Sequence, residues 1–279
     1  MIKICVDSAA DFSLETIKSY DLFMVPLQVI LDDTTYLDSV TLFKDEFYDK
    51  LVNENGYFKT SQPSPSQFLE VFEQVKASND TLIVITLSSA LSGTYQSATL
   101  AKSIIDYDNI YIVDSLTATA GVQLLVHKTI EMIEAGQSID EIVEELETVK
   151  EHIHIYASVD TLEYLARGGR IGKAAAAIGE IAKIKPIIHV YQDGIVDIAG
   201  KKIGINQTAK FIVDNVINDG IHPEYPLFSL VSYGDENAGK LESKLNEAGI
   251  ECASRVQIGP TIGTHIGPKA FGVAFVEKY

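Results

Sequence analysis

Two hydrophobic rhythms alternate along the chain. Short unbroken apolar runs, Ile2–Val6, Thr81–Leu87, Ile110–Val113 and Ile153–Ser158, have the length of strands buried on both faces. Between them, Leu14–Tyr20, Thr41–Val52, Gln67–Ala77, Tyr95–Ile105 and Thr119–Ala135 read as helices on their polar and apolar spacing. Asp11 or Ser13 stands where the first helix needs an N-cap. Leu22–Leu31 reads as another strand, in which Pro26 favours an edge or a bend. Doubly buried strands that alternate with helices predict an α/β fold built on a parallel sheet.

Ser138–Ile153 reads as an acidic helix with an apolar stripe of Ile139, Ile142, Val143 and Leu146. The pattern then restarts. A boundary here gives an N-terminal α/β domain, residues 1–153, with a Rossmann-like parallel sheet, and a C-terminal α/β domain, residues 154–279. The second half predicts a strand at Ile153–Ser158 and a helical turn at Asp160–Leu165. The loop Arg167–Lys173 then opens an alanine-rich helix, Ala174–Ile184, which Pro186 ends. Asp193-Gly194 marks a hairpin within Pro186–Ile198. Helices at Gln207–Asn218 and Gly239–Ala248 and strands at Leu227–Ser232, Ile250–Ile258 and Phe271–Val276 complete it.

One stretch fits neither rhythm. From Gln257 to Pro268, glycine recurs at Gly259, Gly263 and Gly267, and Pro260 and Pro268 interrupt the run. The expectation is a set of tight turns, neither helix nor regular strand, that admits close approach of another group. Thr264 and His265 stand in its middle with no acidic neighbour, a donor set suited to an anion. Ser8, Ser88, Ser89, Ser92 and Ser115 follow three successive strands, where ligands of open α/β sheets gather. Thr60 and Ser61 lie in a loop, Lys59–Phe68, stiffened by Pro63 and Pro65. Together these suggest a cradle of neutral donors.

Composition narrows the function classes. At 279 residues, 46% apolar and 22% charged, the chain has the make-up of a soluble globular protein. Its formal charge of −17 argues against nucleic acid as a partner. No apolar run is long enough for a transmembrane segment, and the N-terminus enters a strand without a signal-peptide pattern. Cys5 and Cys252 have no metal-ligand spacing and read as core thiols in a reducing cytoplasm. The segment from Arg167 to Lys210 reverses the overall sign, with eight basic residues against three acidic ones. Such a patch can steer an acidic partner.

Several motifs fail. Arg167–Lys173 is glycine-rich, yet it does not match G-x-x-x-x-G-K-[ST], and Ala174 follows Lys173. No G-x-G-x-x-G follows a strand, and no H-E-x-x-H occurs. His152 and His154 share one strand face without a third ligand and read as exposed polar alternation. Asp7 and Asp114, both at strand exits, read as caps of neighbouring backbone in preference to a catalytic pair. Ser92 with His265 remains. They form either a nucleophile and base, without the G-x-S-x-G elbow, or two hydrogen-bond partners for a carboxylate. A histidine near its reference pKa would donate a charge-assisted bond there.

Seven stretches, taken together, resemble the DegV family. They are Val6-Asp-Ser8 with Asp11, Thr60-Ser-Gln-Pro-Ser64, Ser88-Ser with Leu91-Ser-Gly-Thr94, and Val113-Asp-Ser115. The others are Leu162–Ile171 with its Arg-Gly-Gly-Arg, Lys185-Pro186 with Asp193-Gly194, and Ile262–Pro268. The resemblance implies a bacterial cytoplasmic protein, two α/β domains clasping one long-chain fatty acid between them. It implies a carboxylate held by Thr60, Ser92 and His265, with Ser61 and Thr264 nearby, and no cofactor. A separate fatty-acid kinase subunit would phosphorylate that carboxylate, docking on a face that includes Arg170, Arg167 and Lys202. On this reading the chain has no catalytic activity of its own. The tail would lie against Ala174–Ala177, Ile178, Ile181, Ile184 and Phe271. Lys269 stands where the family often has glycine, and Lys202 where arginine is common. The alternatives are a serine hydrolase using Ser92 and His265, and a signalling module that reports its bound lipid.

Overall fold

A computed structural model describes residues 1–54, 56–172 and 184–279. The first half runs β1 (Ile2–Asp7), a 3₁₀ turn (Ser8–Ala10), α1 (Leu14–Ser19), β2 (Phe23–Val25), β3 (Gln28–Leu31), β4 (Thr34–Leu37), α2 (Lys44–Val52) and β5 (Phe58–Ser61). It continues with α3 (Pro65–Ser78), β6 (Thr81–Thr86), α4 (Thr94–Ile104), β7 (Ile110–Asp114), α5 (Ala120–Glu134) and α6 (Ile139–Val149). The second half runs β8 (Ile153–Ser158), α7 (Glu163–Gly168), β9 (Ile184–Val190), β10 (Val196–Ile203), α8 (Ile205–Asp219) and β11 (Phe228–Val231). It ends with α9 (Glu236–Glu247), β12 (Ser254–Gln257), α10 (Pro260–Ile266) and β13 (Phe271–Val276).

The fold is mixed α/β. One sheet, in the order β2-β1-β6-β7, is parallel throughout. Its unbroken apolar runs follow from burial on both faces. Cys5, Leu82 and Val84 pack against Phe68 and Phe72 of α3 and Ala98 of α4, while Ile4, Ile83 and Ile85 face the other way, towards α5. The second sheet, β10-β9-β8-β13-β11-β12, is antiparallel apart from the β11–β12 pair. One of its faces presents Tyr156, Ile187, Phe271 and Phe275 to α8 and α9. The opposite face presents Ile155, Ala157, Ile188 and Val190 to the same core as Ile83 and Ile85. Helix α5 lies in that shared core, touching β6, β8 and β13, and Ala120–Val126 are all buried. Apolar burial on every side of these first two turns is what a position between two sheets requires, while Glu131 and Glu134 of the last turns reach solvent.

The structure revises several expectations. Leu22–Leu31 is two strands in two sheets: Pro26 ends β2 beside β1, and β3 joins the small sheet β4-β3-β5. Thr60 and Ser61 are not in a loop but on β5, opposite Val29 and Gln28. Ser64 and Gln67 form a capping box, so α3 starts at Pro65, where a missing N–H costs nothing. Most of the predicted helix Ala174–Ile184 lies outside the described residues. Its last residue, Ile184, opens β9, in which Pro186 pairs with Lys201. The predicted hairpin follows, with Gly194 at φ 76°. His154 is buried and not exposed, its Nδ1 lying 2.9 Å from Nε2 of His189.

The largest revision concerns the glycine-rich stretch, which contains α10. Gly259 is its N-cap, Pro260 its first residue, and Gly267, at φ 72°, its C-cap. Gly263 sits inside the helix because a Cβ there would come within 2.6 Å of Phe47 and 2.8 Å of the Tyr48 hydroxyl. The glycines therefore serve two helix ends and one close contact, not a series of turns. Lys269 adopts φ 65°, a conformation that favours glycine at that position.

Asp7 closes β1 and is fully buried. It accepts bonds from Ala9 N–H at 3.0 Å and Leu87 N–H at 2.7 Å. Burial pushes its pKa up to about 7, although these two bonds oppose the shift and nearby Asp38 and Asp11 add to it. A folded-state pKa above the unfolded one means that the folded chain binds the extra proton, so stability falls as pH rises from about 4 to about 7. Urea midpoints should therefore fall between pH 5 and pH 8. In Asp7→Asn that decline should shrink by on the order of 2 kcal/mol. An unchanged decline in the variant would show that Asp7 does not carry it.

Candidate functional site

Four elements of little individual complexity meet at one point between the sheets. Strand β5 delivers Thr60 and Ser61, and the loop after β6 delivers Ser92 and Gly93. The turn after α7 delivers Arg170, and α10 delivers His265. They bound a cavity of about 230 Å³. Away from this polar end its walls are aliphatic. Leu27, Leu87 and Leu91 come from the first half, and Ile155, Ile188, Val190, Leu230 and Ile262 from the second. The inward faces of β8 and β9 supply much of that lining because alternate side chains of a strand point the same way. Phe271, expected along such a wall, lies instead on the far face beneath α8 and α9, and Ile184 is absent from the lining. Ala174–Ala177, Ile178 and Ile181 lie outside the described residues.

His265 and Thr60 are in direct contact, Nε2 to Oγ1, at 2.7 Å. The imidazole Nδ1 makes no hydrogen bond among the described residues and lies against Gly168, where a Cβ would come within 2.1 Å of it. Burial, with Arg170 adding its charge, pushes the imidazole down to about 4. The ring is therefore neutral at pH 7. The charge-assisted bond expected from histidine has another source, because the cation at this end of the cavity is Arg170. Its Nε donates to Leu91 O at 3.1 Å and a second N–H donates to Gly168 O, which fixes the guanidinium beside the imidazole.

The other expected residues divide. Ser61 and Ser92 line the cavity, and the Ser92 hydroxyl lies 2.9 Å from that of Thr94. No hydrogen bond joins Ser92 to His265 among the described residues. Thr264 points elsewhere: its hydroxyl donates to Pro260 O at 2.8 Å, and the residue lines an outer cleft. The remaining strand-exit serines serve the backbone. Ser8 accepts from Leu27 N–H, Ser88 donates to Gly194 O, Ser115 donates to Thr117 O, and Ser89 N–H donates to Asp114. The cradle is therefore narrower than the serine pattern suggests and includes a charge.

Outside it lies an open cleft of about 550 Å³, lined by Tyr57, Lys59, Tyr164 and Arg167 among others. Cavity and cleft share three residues, Thr60, Arg170 and His265. These form the boundary between an apolar interior and a polar exterior. Arg167 pairs with Glu163 and lies over the Tyr57 ring, 5.6 Å from its centroid. Lys202 lines neither space and lies 4.8 Å over the Phe211 ring. Of the basic segment, Lys173 and Lys183 lie outside the described residues.

Sequence reasoning missed Gln62, Gly93 and Gly168. Gln62 donates to Ser97 at 2.9 Å, and its amide occupies the space that a Cβ on Gly93 would need. The paired glycines of Arg167–Arg170 were the available signal for close packing against a ring. Gly168→Ala, normally favourable in a helix by about 1 kcal/mol, is expected to displace the imidazole from Thr60. Nitrogen chemical shifts of His265 should then move towards those of a Thr60→Ala variant. Wild-type shifts in Gly168→Ala would contradict the packing described.

A model of the family described as uncharacterised protein, DegV family, matches residues 1–278. A DegV domain-containing protein of Caldanaerobacter subterraneus is 38% identical over 279 residues, 99% of each chain. Among solved structures, a DegV family protein from Thermus thermophilus described as fatty-acid binding superposes with a TM-score of 0.91 at 28% identity, covering 99% of each chain. A stearic acid-binding protein from Eubacterium ventriosum gives 0.92 at 28% identity over 100% of this chain and 99% of that one. DegV of Bacillus subtilis, described as a fatty acid binding protein, gives 0.85 at 31% identity over 99% of each. With its fold, its length and nearly every residue matched, the chain belongs to the DegV family.

Proposed function

We propose that this protein binds one long-chain fatty acid and presents its carboxylate to a separate kinase subunit, which converts it to an acyl phosphate. The observation that carries the reading is the shared boundary of Thr60, His265 and Arg170, apolar cavity on one side and open cleft on the other. An amphiphile with one anionic end fits that division. The hydrocarbon is worth about 0.8 kcal/mol per buried methylene, or roughly 12 kcal/mol for a sixteen-carbon tail before entropic costs. The head then has to supply only position. Thr60, Ser61 and Ser92 offer hydroxyls, His265 a neutral ring N–H, and Arg170 the counter-charge. The relatives described as binding fatty acids support the same ligand class.

The carboxylate would face the cleft, where a phosphoryl donor held by another protein can approach it. Arg167 lies on the rim of that cleft, which suits a docking role, whereas Lys202 would have to act at a distance from it. The chain works in this scheme as a carrier in the cytoplasm, its domains 1–153 and 154–279 closing on the tail. The hydrolase alternative is weaker. The base would need a bond to Ser92 and an orienting group on Nδ1, whereas the ring bonds Thr60 and turns Nδ1 to Gly168.

Mass spectrometry of an organic extract of the purified protein should find free fatty acid in about one-to-one ratio, and a lipid-free protein that takes up none would overturn the reading. Thr60→Ala, Ser92→Ala and His265→Ala should each speed transfer of a labelled fatty acid to phosphatidylcholine vesicles by about tenfold, the loss of one buried hydrogen bond. Wild-type rates in all three would remove them from the site. Addition of the source cell's ATP-dependent kinase should yield a hydroxylamine-trappable acyl phosphate, and none without it.

A further inference from the structure

Helix α10 has seven residues, too few to hold its own shape in water. Its N-cap, Gly259, offers no side chain, so the free N–H groups at its start need partners from elsewhere. Two fully or almost fully buried carboxylates supply them. Gly259 N–H donates to Asp11 Oδ1 at 2.8 Å, and Thr261 N–H donates to Asp38 Oδ2 at 3.2 Å. The Thr261 hydroxyl donates to the same Asp38 oxygen. Lys44 and Tyr48 complete the grip, donating to Gln257 O at 2.6 Å and Ile258 O at 3.0 Å. All four gripping side chains come from the first 50 residues, while the helix they hold comes from the end of the chain.

A serine cap would satisfy such a helix end without burying charge. Burying carboxylates is costly unless every bond is in place, and here the cost is borne at two positions. Two donors on one carboxylate oxygen fix both the rise and the rotation of the helix start. His265 stands four residues after Thr261, about one turn further along. Rotation at the start therefore moves the ring off Thr60, which belongs to the same half of the chain as Asp11 and Asp38. Gly263, against Phe47 and Tyr48, prevents the helix from sliding between these two points.

We infer that Asp38, assisted by Asp11, is a positioning residue for His265, holding the imidazole in register with Thr60 at the head of the cavity. This rests on the fatty-acid reading for its consequence, not for its geometry. The test is a double-mutant cycle on fatty-acid transfer to phosphatidylcholine vesicles. Asp38→Asn keeps the volume and one acceptor, and should speed transfer by about tenfold. In a His265→Ala background it should add little, because both changes remove the same contact. Multiplied effects, or a wild-type rate in Asp38→Asn, would overturn the inference.

Should Asp38→Asn fail to fold, Thr261→Val removes the helix-side hydroxyl at nearly constant shape and enters the same cycle with the same expected and contrary results. A second reading uses ligand-free protein. The imidazole nitrogen shifts of His265 should change in Asp38→Asn and Thr261→Val. A lower melting temperature with unchanged shifts would mean a merely structural role and sink the proposal. If the wild type binds no fatty acid, the proposed function fails, and the positioning role stands or falls on these shifts.

Discussion

A neutral imidazole bonded to a threonine hydroxyl and packed on Gly168, with a guanidinium near it, is the contact that organises this molecule. It joins the two halves of the chain, since Thr60 lies on β5 and His265 on α10. It also separates two solvents, the aliphatic interior and the open cleft. Burial keeps the ring uncharged, and the fixed guanidinium of Arg170 reinforces this. A charged imidazole beside that cation would need desolvation and would be repelled at once. The arrangement therefore leaves the positive charge at the head of the cavity to the guanidinium of Arg170 and not to the ring.

The sheet below explains why this contact can be so small. Tail affinity grows with buried apolar area and needs no direction. The inward faces of β8 and β9 provide that area because their outward faces are covered by α8 and α9. Had the second sheet been a surface sheet with one polar face, its alternation would have left no second layer to enclose a ligand. The first two turns of helix α5, buried on all sides, keep the two sheets in one core.

Much of the fold was legible in the sequence for a physical reason. Runs such as Thr81–Leu87 and Ile153–Ser158 are buried on both sides, so their pattern reflects the sheet alone, and β8 has the predicted bounds. Asp193-Gly194 needs a left-handed residue, and glycine is there. The failures share a cause as well. Local preference called for turns at Gly259–Gly267, but contacts with Phe47, Tyr48, Asp11 and Asp38, more than 200 positions away, make it a helix. The hydroxyl of Thr60 and its neighbours are visible in the sequence, yet its strand is not, because β5 is four residues long and, among the described residues, pairs with β3 alone. Serine repetition at strand exits misled for a simpler reason. A hydroxyl that caps backbone and one that faces a cavity look the same in sequence.

Charge placement follows from the same division of labour. A chain of −17 repels anions at long range, the anionic amphiphile proposed for its cavity among them. Steering therefore cannot come from the net field and has to come from local geometry. Within the cleft Lys59, Arg167 and Arg170 lie close to the mouth, and Glu163 is drawn off into a pair with Arg167. At physiological salt, charges beyond about 8 Å are largely screened. An incoming head group at the cleft therefore meets three cations, one of them paired with Glu163, and little of the acidic surface beyond. Moving Lys59 and Arg167 to another face would leave composition and the lining of the tail cavity unchanged and still weaken the local attraction for an anionic head.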